Sequence, residues 1–326
     1  MSAHESTSAA ATVATTPAEA SAAGGAHQFA LALPGPLDIA ASLEMFRRTG
    51  DDLLDRWDGA WLIRTLRVGQ RLIPYAALAR GTVEAPALLV EAPQAEDHAA
   101  VKAALLATFV QPPAEQYAAL LRADAVVAAL DARYLGLRPA RQFDLYAALV
   151  RCISAQQVNL RWATTTRRRL AEAFGERHTV GERAVYSLSA KRMAGVSVAE
   201  LRALQFTTRK AEYLINAAQE IASGALDAEA LAALPDEEVI ARLVALRGVG
   251  RWSAEWILAR TLGRPCVVAG DLAVRKVVAR AYLGYSGARG ETLPDEVAIR
   301  AATTHWGASA AIAQGLLLHS YAASAT

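Results

Sequence analysis

The spacing of apolar residues changes character once along this chain, and the change predicts its layout. Residues 1–26 are rich in Ala, Ser and Thr and nearly free of large apolar side chains, so a disordered tail is expected there. Between 27 and 130 the pattern is mixed. Stretches 28–33, 61–68, 70–76 and 87–91 read as short strands, with Gly69 and Gly81 punctuating them, while 37–49 and 95–109 carry helical spacing. A small α+β domain with an antiparallel sheet is the predicted result. From 131 to 326 apolar positions recur at 3.6-residue spacing. Helices are expected over 143–158, 160–174, 198–204, 208–223, 236–246, 253–262, 272–283, 294–305 and 308–323. Pro235-Asp236-Glu237 and Pro294-Asp295-Glu296 place proline and acids in a first helical turn. The fold class is therefore α+β, a small mixed domain followed by an all-α one.

Composition narrows the function by exclusion. The 326 residues carry 34 Lys+Arg against 32 Asp+Glu, which is not the balance of a protein coated in positive charge. A local basic face remains possible within it. The only cysteines, Cys152 and Cys266, cannot hold a four-cysteine iron–sulfur cluster, and no Cys/His spacing resembles a zinc site. No run of about eighteen apolar residues suggests a membrane span. The N-terminus has neither the basic start nor the apolar centre of a signal peptide. A cytoplasmic, reducing location is the expectation.

Chemistry concentrates in one stretch, Leu246-Arg247-Gly248-Val249-Gly250-Arg251-Trp252-Ser253, with Gly270-Asp271-Leu272 one helix later. Two glycines around one apolar residue make a turn whose bare backbone can press N–H groups against a phosphate. A helix starting near Trp252 adds the positive end of its dipole. Asp271 stands where the next helix begins. Alone it reads as an N-cap, since Asp is preferred there; after a phosphate-binding turn it also reads as a placed acid.

Together with Ile153-Ser154-Ala155-Gln156-Gln157-Val158 and the segment around Arg209, Lys210 and Tyr213, these motifs resemble the helix-hairpin-helix (HhH-GPD) DNA glycosylases. Trp252 where lyase members carry lysine, and the preceding α+β domain, make the resemblance closest to the AlkA-like DNA-3-methyladenine glycosylase II branch. The likeness runs from about residue 27 to the C-terminus and is strongest over 143–283. It implies that Asp271 is the catalytic carboxylate and that, with no amine at Trp252 to form a Schiff base, the reaction is monofunctional hydrolysis. It further implies that Gly248, Gly250, Arg251 and Ser253 hold the DNA backbone and that Gln157 is the wedge filling the gap left by a flipped nucleotide. Trp252 and Trp256, four residues apart on one helix face, would stack on the base. Carbonyls of Val244, Leu246 and Val249 would hold a structural Na⁺ or K⁺; no other cofactor is implied. The partner would be double-stranded DNA with alkylated bases, bound by a monomer. After Trp306 the chain departs from the pattern, reading Gly-Ala-Ser-Ala, which leaves that pocket wall open. Two other readings stay available: a glycosylase of this type for deaminated bases, and a non-catalytic protein that binds alkylation damage.

Overall fold

The computed structural model describes residues 27–69 and 71–324; the predicted tail lies outside them. In the N-terminal part, strands β1 (His27–Ala32), β2 (Arg56–Trp57), β3 (Trp61–Val68), β4 (Arg71–Gly81) and β5 (Pro86–Ala92) pair antiparallel in the order β1-β5-β4-β3-β2. Register is set by pairs such as Trp61 with Leu78 and Ala76 with Glu91. Because successive side chains alternate between faces, Leu62, Tyr75 and Val90 share one core with α1 (Ile39–Leu43) and α2 (His98–Thr108). Ile63 and Ala76 face the other way.

That second face is covered by something the sequence pattern had assigned to the helical region. Strands β6 (Glu176–Val180) and β7 (Arg183–Ser187) form a hairpin whose Val180 and Val185 pack on Ile63 and Ala76, with the Arg183 guanidinium over the Trp61 ring. The all-helical expectation from residue 131 onward is corrected here. The segment is short and mostly polar, and its strand character depends on covering a sheet distant in sequence. Gly181, at φ +55°, opens its two-residue turn.

Helices α3 (Ala114–Ala123) and α4 (Ala125–Arg133) precede α5 (Leu145–Ala155), α6 (Leu160–Phe174), α7 (Ala190–Met193), α8 (Val198–Ala203) and α9 (Thr208–Ala222). Then come α10 (Ala228–Ala232), α11 (Asp236–Val244), α12 (Arg251–Arg260), α13 (Leu272–Tyr282), α14 (Glu296–Thr303) and α15 (Ala310–Ala323). They build two cores. One joins α5–α12 through residues such as Leu149, Ile153, Leu214, Leu243 and Ile257. The other joins α3, α4 and α13–α15 through Tyr117, Val127, Val274, Ile299, Trp306 and Leu316. Helical packing thus begins at Ala114, ahead of the predicted domain boundary, because α3 and α4 bury their apolar faces against the last helices.

Buried charge ties the sheet side to the first helical core. Asp52, 3% exposed at its side chain, accepts from Arg167 at 2.8 Å and pairs with Arg151. Burial alone would raise the Asp52 pKa, but the two guanidiniums hold it below the usual carboxylate range. Among the described residues no helix is long and apolar enough to cross a membrane.

Candidate active site

The turn between α11 and α12 is shaped by its two glycines in different ways. Gly248 sits at φ +85°, and a Cβ there would lie 2.1 Å from the Tyr213 ring. Its backbone thus lies flat on an aromatic side chain that only glycine lets it reach. Gly250 has φ −94° and is the N-cap of α12; a Cβ on it would meet nothing within 4 Å. Nothing inside the protein requires glycine at 250, and its backbone is exposed. Val249 is buried between them and donates to the Leu246 carbonyl at 3.1 Å. No side chain caps α12, so the first-turn N–H groups through Ser253 lack intrahelical partners at the positive end of the helix. The arrangement suits an anion such as a backbone phosphate.

Second in α12, the half-buried Trp252 donates its indole N–H to Asp271 Oδ2 at 3.0 Å. The other oxygen, Oδ1, accepts from the amides of Ala273 at 2.8 Å and Val274 at 3.0 Å. One oxygen thus caps α13 and the second is turned toward α12. Trp252 belongs to the first helical core and α13 to the second, so this contact spans the junction of the two. Gly270 lets the chain pass closely, since a Cβ there would sit 3.5 Å from Trp252 Cβ and 3.0 Å from Glu296 Oε1.

A second tie fixes the loop before Asp271. The Asp271 amide donates to the Val268 carbonyl at 3.0 Å, and the Val268 amide donates to Oε1 of the buried Gln314 on α15 at 2.8 Å. The next residue, Gly315, lines a cavity of about 310 Å³ between α15, the N-terminal part and the end of α12.

Residues 150–301 match the HhH-GPD superfamily of base excision DNA repair proteins. They form an HhH-GPD domain. A DNA-3-methyladenine glycosylase of Bacillus subtilis is 30% identical over 147 residues, 45% of this chain and 48% of that protein. Another B. subtilis protein, YfjP, is 36% identical over 124 residues, 38% of this chain and 42% of its own. The chain thus spans under half the length of these curated relatives. The fold reaches further than the sequence likeness. A 3-methyladenine DNA glycosylase from Archaeoglobus fulgidus superposes with TM-score 0.76 at 22% identity, covering 91% of this chain and all of that one. An 8-oxoguanine glycosylase/lyase of Clostridium acetobutylicum, solved with duplex DNA, gives 0.67 at 17% identity, covering 90% and 94%.

Within the HhH-GPD domain the other predicted residues are placed as follows. Gln157 is exposed at the tip of the turn after α5, at φ +55°, where a non-glycine side chain is strained. Its neighbour Gln156, to which the sequence assigns no role of its own, donates to the Gly248 carbonyl at 2.8 Å and so joins the turn after α5 to the hairpin. Trp256 is half-buried on the side of α12 that carries Trp252. Arg251 is committed internally, bonding Glu255 at 2.9 Å and Glu237 at 3.0 Å, with Glu255 itself buried and also held by Arg300. The guanidinium is thereby drawn away from a simple phosphate contact. Ser253 is buried, its hydroxyl without a hydrogen-bond partner. Val244 and Leu246 lie on the α11 side of the turn and Val249 at its centre, and among the described residues no three His, Cys, Asp or Glu side chains gather as a metal site. The donors offered by the turn are main-chain carbonyls.

Proposed function

We propose that this chain is a monofunctional base-excision DNA glycosylase that extrudes an alkylated purine, of the 3-methyladenine or 7-methylguanine type, from duplex DNA and hydrolyses its N-glycosidic bond. The carrying observation is the Trp252–Asp271 contact, which points one carboxylate oxygen into the junction beside a hairpin suited to phosphate. Resemblance and relatives support the same class.

In this reading the unpaired amides at the start of α12 hold a phosphate next to the lesion, and Gln157 enters the base stack as the nucleotide swings out. Trp252 and Trp256 present ring faces to an electron-poor purine. As the bond from C1′ to the base nitrogen breaks, the electron pair leaves with the base and positive charge grows on the sugar. The Asp271 carboxylate stabilises that charge and orients a water whose oxygen bonds C1′, its proton passing to the carboxylate or to solvent. An alkylated purine is already cationic and leaves without a strong acid. Trp252 supplies no amine, so no covalent imine forms and the strand stays intact at the abasic site. A monovalent cation on the carbonyls of Val244, Leu246 and Val249 would stiffen the turn. The protein would act as a monomer on duplex DNA, in the cytoplasm.

The test is chromatography of free bases released from methylated duplex DNA, with strand integrity checked before and after alkali. Released methylpurine with strands cut only after alkali supports the reading. Duplex binding without release would make the protein a damage binder. Strand cutting without alkali would remove the monofunctional step.

A further inference from the structure

The strained turn that carries Gln157 is held from a helix that the reaction just described does not use. Helix α5 ends at Ala155 with no basic residue in its last turn, so its closing carbonyls need partners from elsewhere. The Ser154 carbonyl is one of these, and it accepts from the Lys210 ammonium of α9 at 2.8 Å. A cation there also meets the negative end of the α5 dipole. Ser154 is buried and gripped from its other side: its hydroxyl accepts from Arg167 at 3.0 Å, and Arg167 bonds Asp52. Lys210 gives up water for this contact. It is half-buried, burial lowers its pKa, and among the described residues no carboxylate pairs with it. What the ammonium secures is the end of α5, two residues before the turn.

The same helix reaches the hairpin. Tyr213 follows Lys210 by three residues on α9, so the two share a face, and its ring is the surface on which the Gly248 backbone rests. Gln156 closes the circuit by donating to the Gly248 carbonyl at 2.8 Å. The turn is thus bounded by Lys210 before it, by the hairpin beside it and by the Asn159 cap of α6 after it, whose side chain accepts from the Trp162 amide at 2.8 Å. A non-glycine residue at φ +55° persists only where its surroundings fix it from several sides. We propose that Lys210 is a positioning residue for base extrusion: through the Ser154 carbonyl it fixes the direction in which Gln157 enters the base stack, and because α9 also carries Tyr213, that wedge stays in register with the phosphate held at the hairpin. A shift of about 1 Å in such a group is enough to slow a reaction by roughly a hundredfold.

This inference rests on the glycosylase reading with Gln157 as the wedge, and the experiment separates the two. A strand with one 7-methylguanine is annealed to a complement with cytosine opposite the lesion, or to one lacking that cytosine, which leaves the lesion bulged. The bulged base is cheaper to extrude and leaves no gap for a wedge to fill. Single-turnover rates are expressed as the ratio of paired to bulged release, a quantity unaffected by the folded fraction of a variant or by the bond-breaking step common to both. Lys210→Met is expected to lower the ratio by roughly 10-fold, and Lys210→Arg, which keeps a cationic donor for Ser154, by about threefold or less. Gln157→Gly lowers the ratio as well, and the double variant Lys210→Met/Gln157→Gly falls no further than the lower of the two, because both act on one turn. A ratio within about twofold of wild type in Lys210→Met, whether both rates fall together or only duplex affinity falls, overturns the positioning role and leaves the glycosylase reading in place. Effects that multiply in the double variant overturn the coupling to Gln157. No release from either DNA by wild type overturns the glycosylase reading and this inference with it.

Discussion

The two hairpin glycines should respond oppositely to the same substitution. In Gly248→Ala, φ +85° costs an L-residue about 1–2 kcal/mol, and the new methyl enters the Tyr213 ring at 2.1 Å. Tyr213 packs against the first helical core, so moving it adds an overpacking cost of about 1–3 kcal/mol. The total, about 2–5 kcal/mol, is a large share of an ordinary stability and should lower Tm by on the order of 3–7 °C. Gly250→Ala meets nothing within 4 Å at a φ any residue adopts, and its loss as an N-cap is worth under about 1 kcal/mol. Its methyl, however, stands where the account places a phosphate. Duplex affinity, read by fluorescence anisotropy at one fixed salt concentration, should fall roughly 10-fold while Tm barely moves. Wild-type affinity in Gly250→Ala, or wild-type melting in Gly248→Ala, would refute the reasoning about that glycine.

Three further outcomes are expected. Gln157→Gly relieves the strain at φ +55° and should raise stability by about 1 kcal/mol while slowing base release; a variant that is both more stable and fully active would remove Gln157 as the wedge. Trp252→Phe keeps a stacking ring but deletes the indole N–H to Asp271, so single-turnover release should slow by roughly 10-fold with duplex affinity unchanged, and an unchanged rate would show that the contact does not aim the carboxylate. The Asp52 carboxyl titrates below its unfolded value of about 3.9, so its contribution is fully present above that pH and is lost as pH falls through the lower folded value. Asp52→Asn should flatten this acid limb in denaturant titrations and cost about 3–5 kcal/mol at neutral pH by leaving Arg151 and Arg167 without their shared partner; an acid limb as steep as in wild type would assign it elsewhere.

The sheet and most long helices could be read from the sequence because they rest on local periodicity. Strand β3 and helices α6 and α13 follow their apolar spacing closely. The β6–β7 hairpin could not, since its two core valines matter only against Ile63 and Ala76, more than a hundred residues earlier. The hairpin glycines and Asp271 stood out by motif, and the double use of the Asp271 carboxylate by α13 and Trp252 needed coordinates. Arg251, which the resemblance assigns to the DNA backbone, bonds Glu255 one turn on and Glu237 fourteen residues earlier, and only the fold brings the latter to it.

The most direct test of the central claim is single-turnover release of methylpurine by Asp271→Asn beside wild type. Asparagine keeps an oxygen for the amides of Ala273 and Val274 and is as good an N-cap as aspartate, so fold and duplex affinity should persist. What is lost is a unit charge about 4 Å from the developing cation, worth about 4 kcal/mol at an effective dielectric near 20, or roughly a thousandfold in rate. The account predicts a folded, DNA-binding variant slowed by about that factor. Release within about threefold of wild type would contradict it and leave Asp271 as the cap of α13.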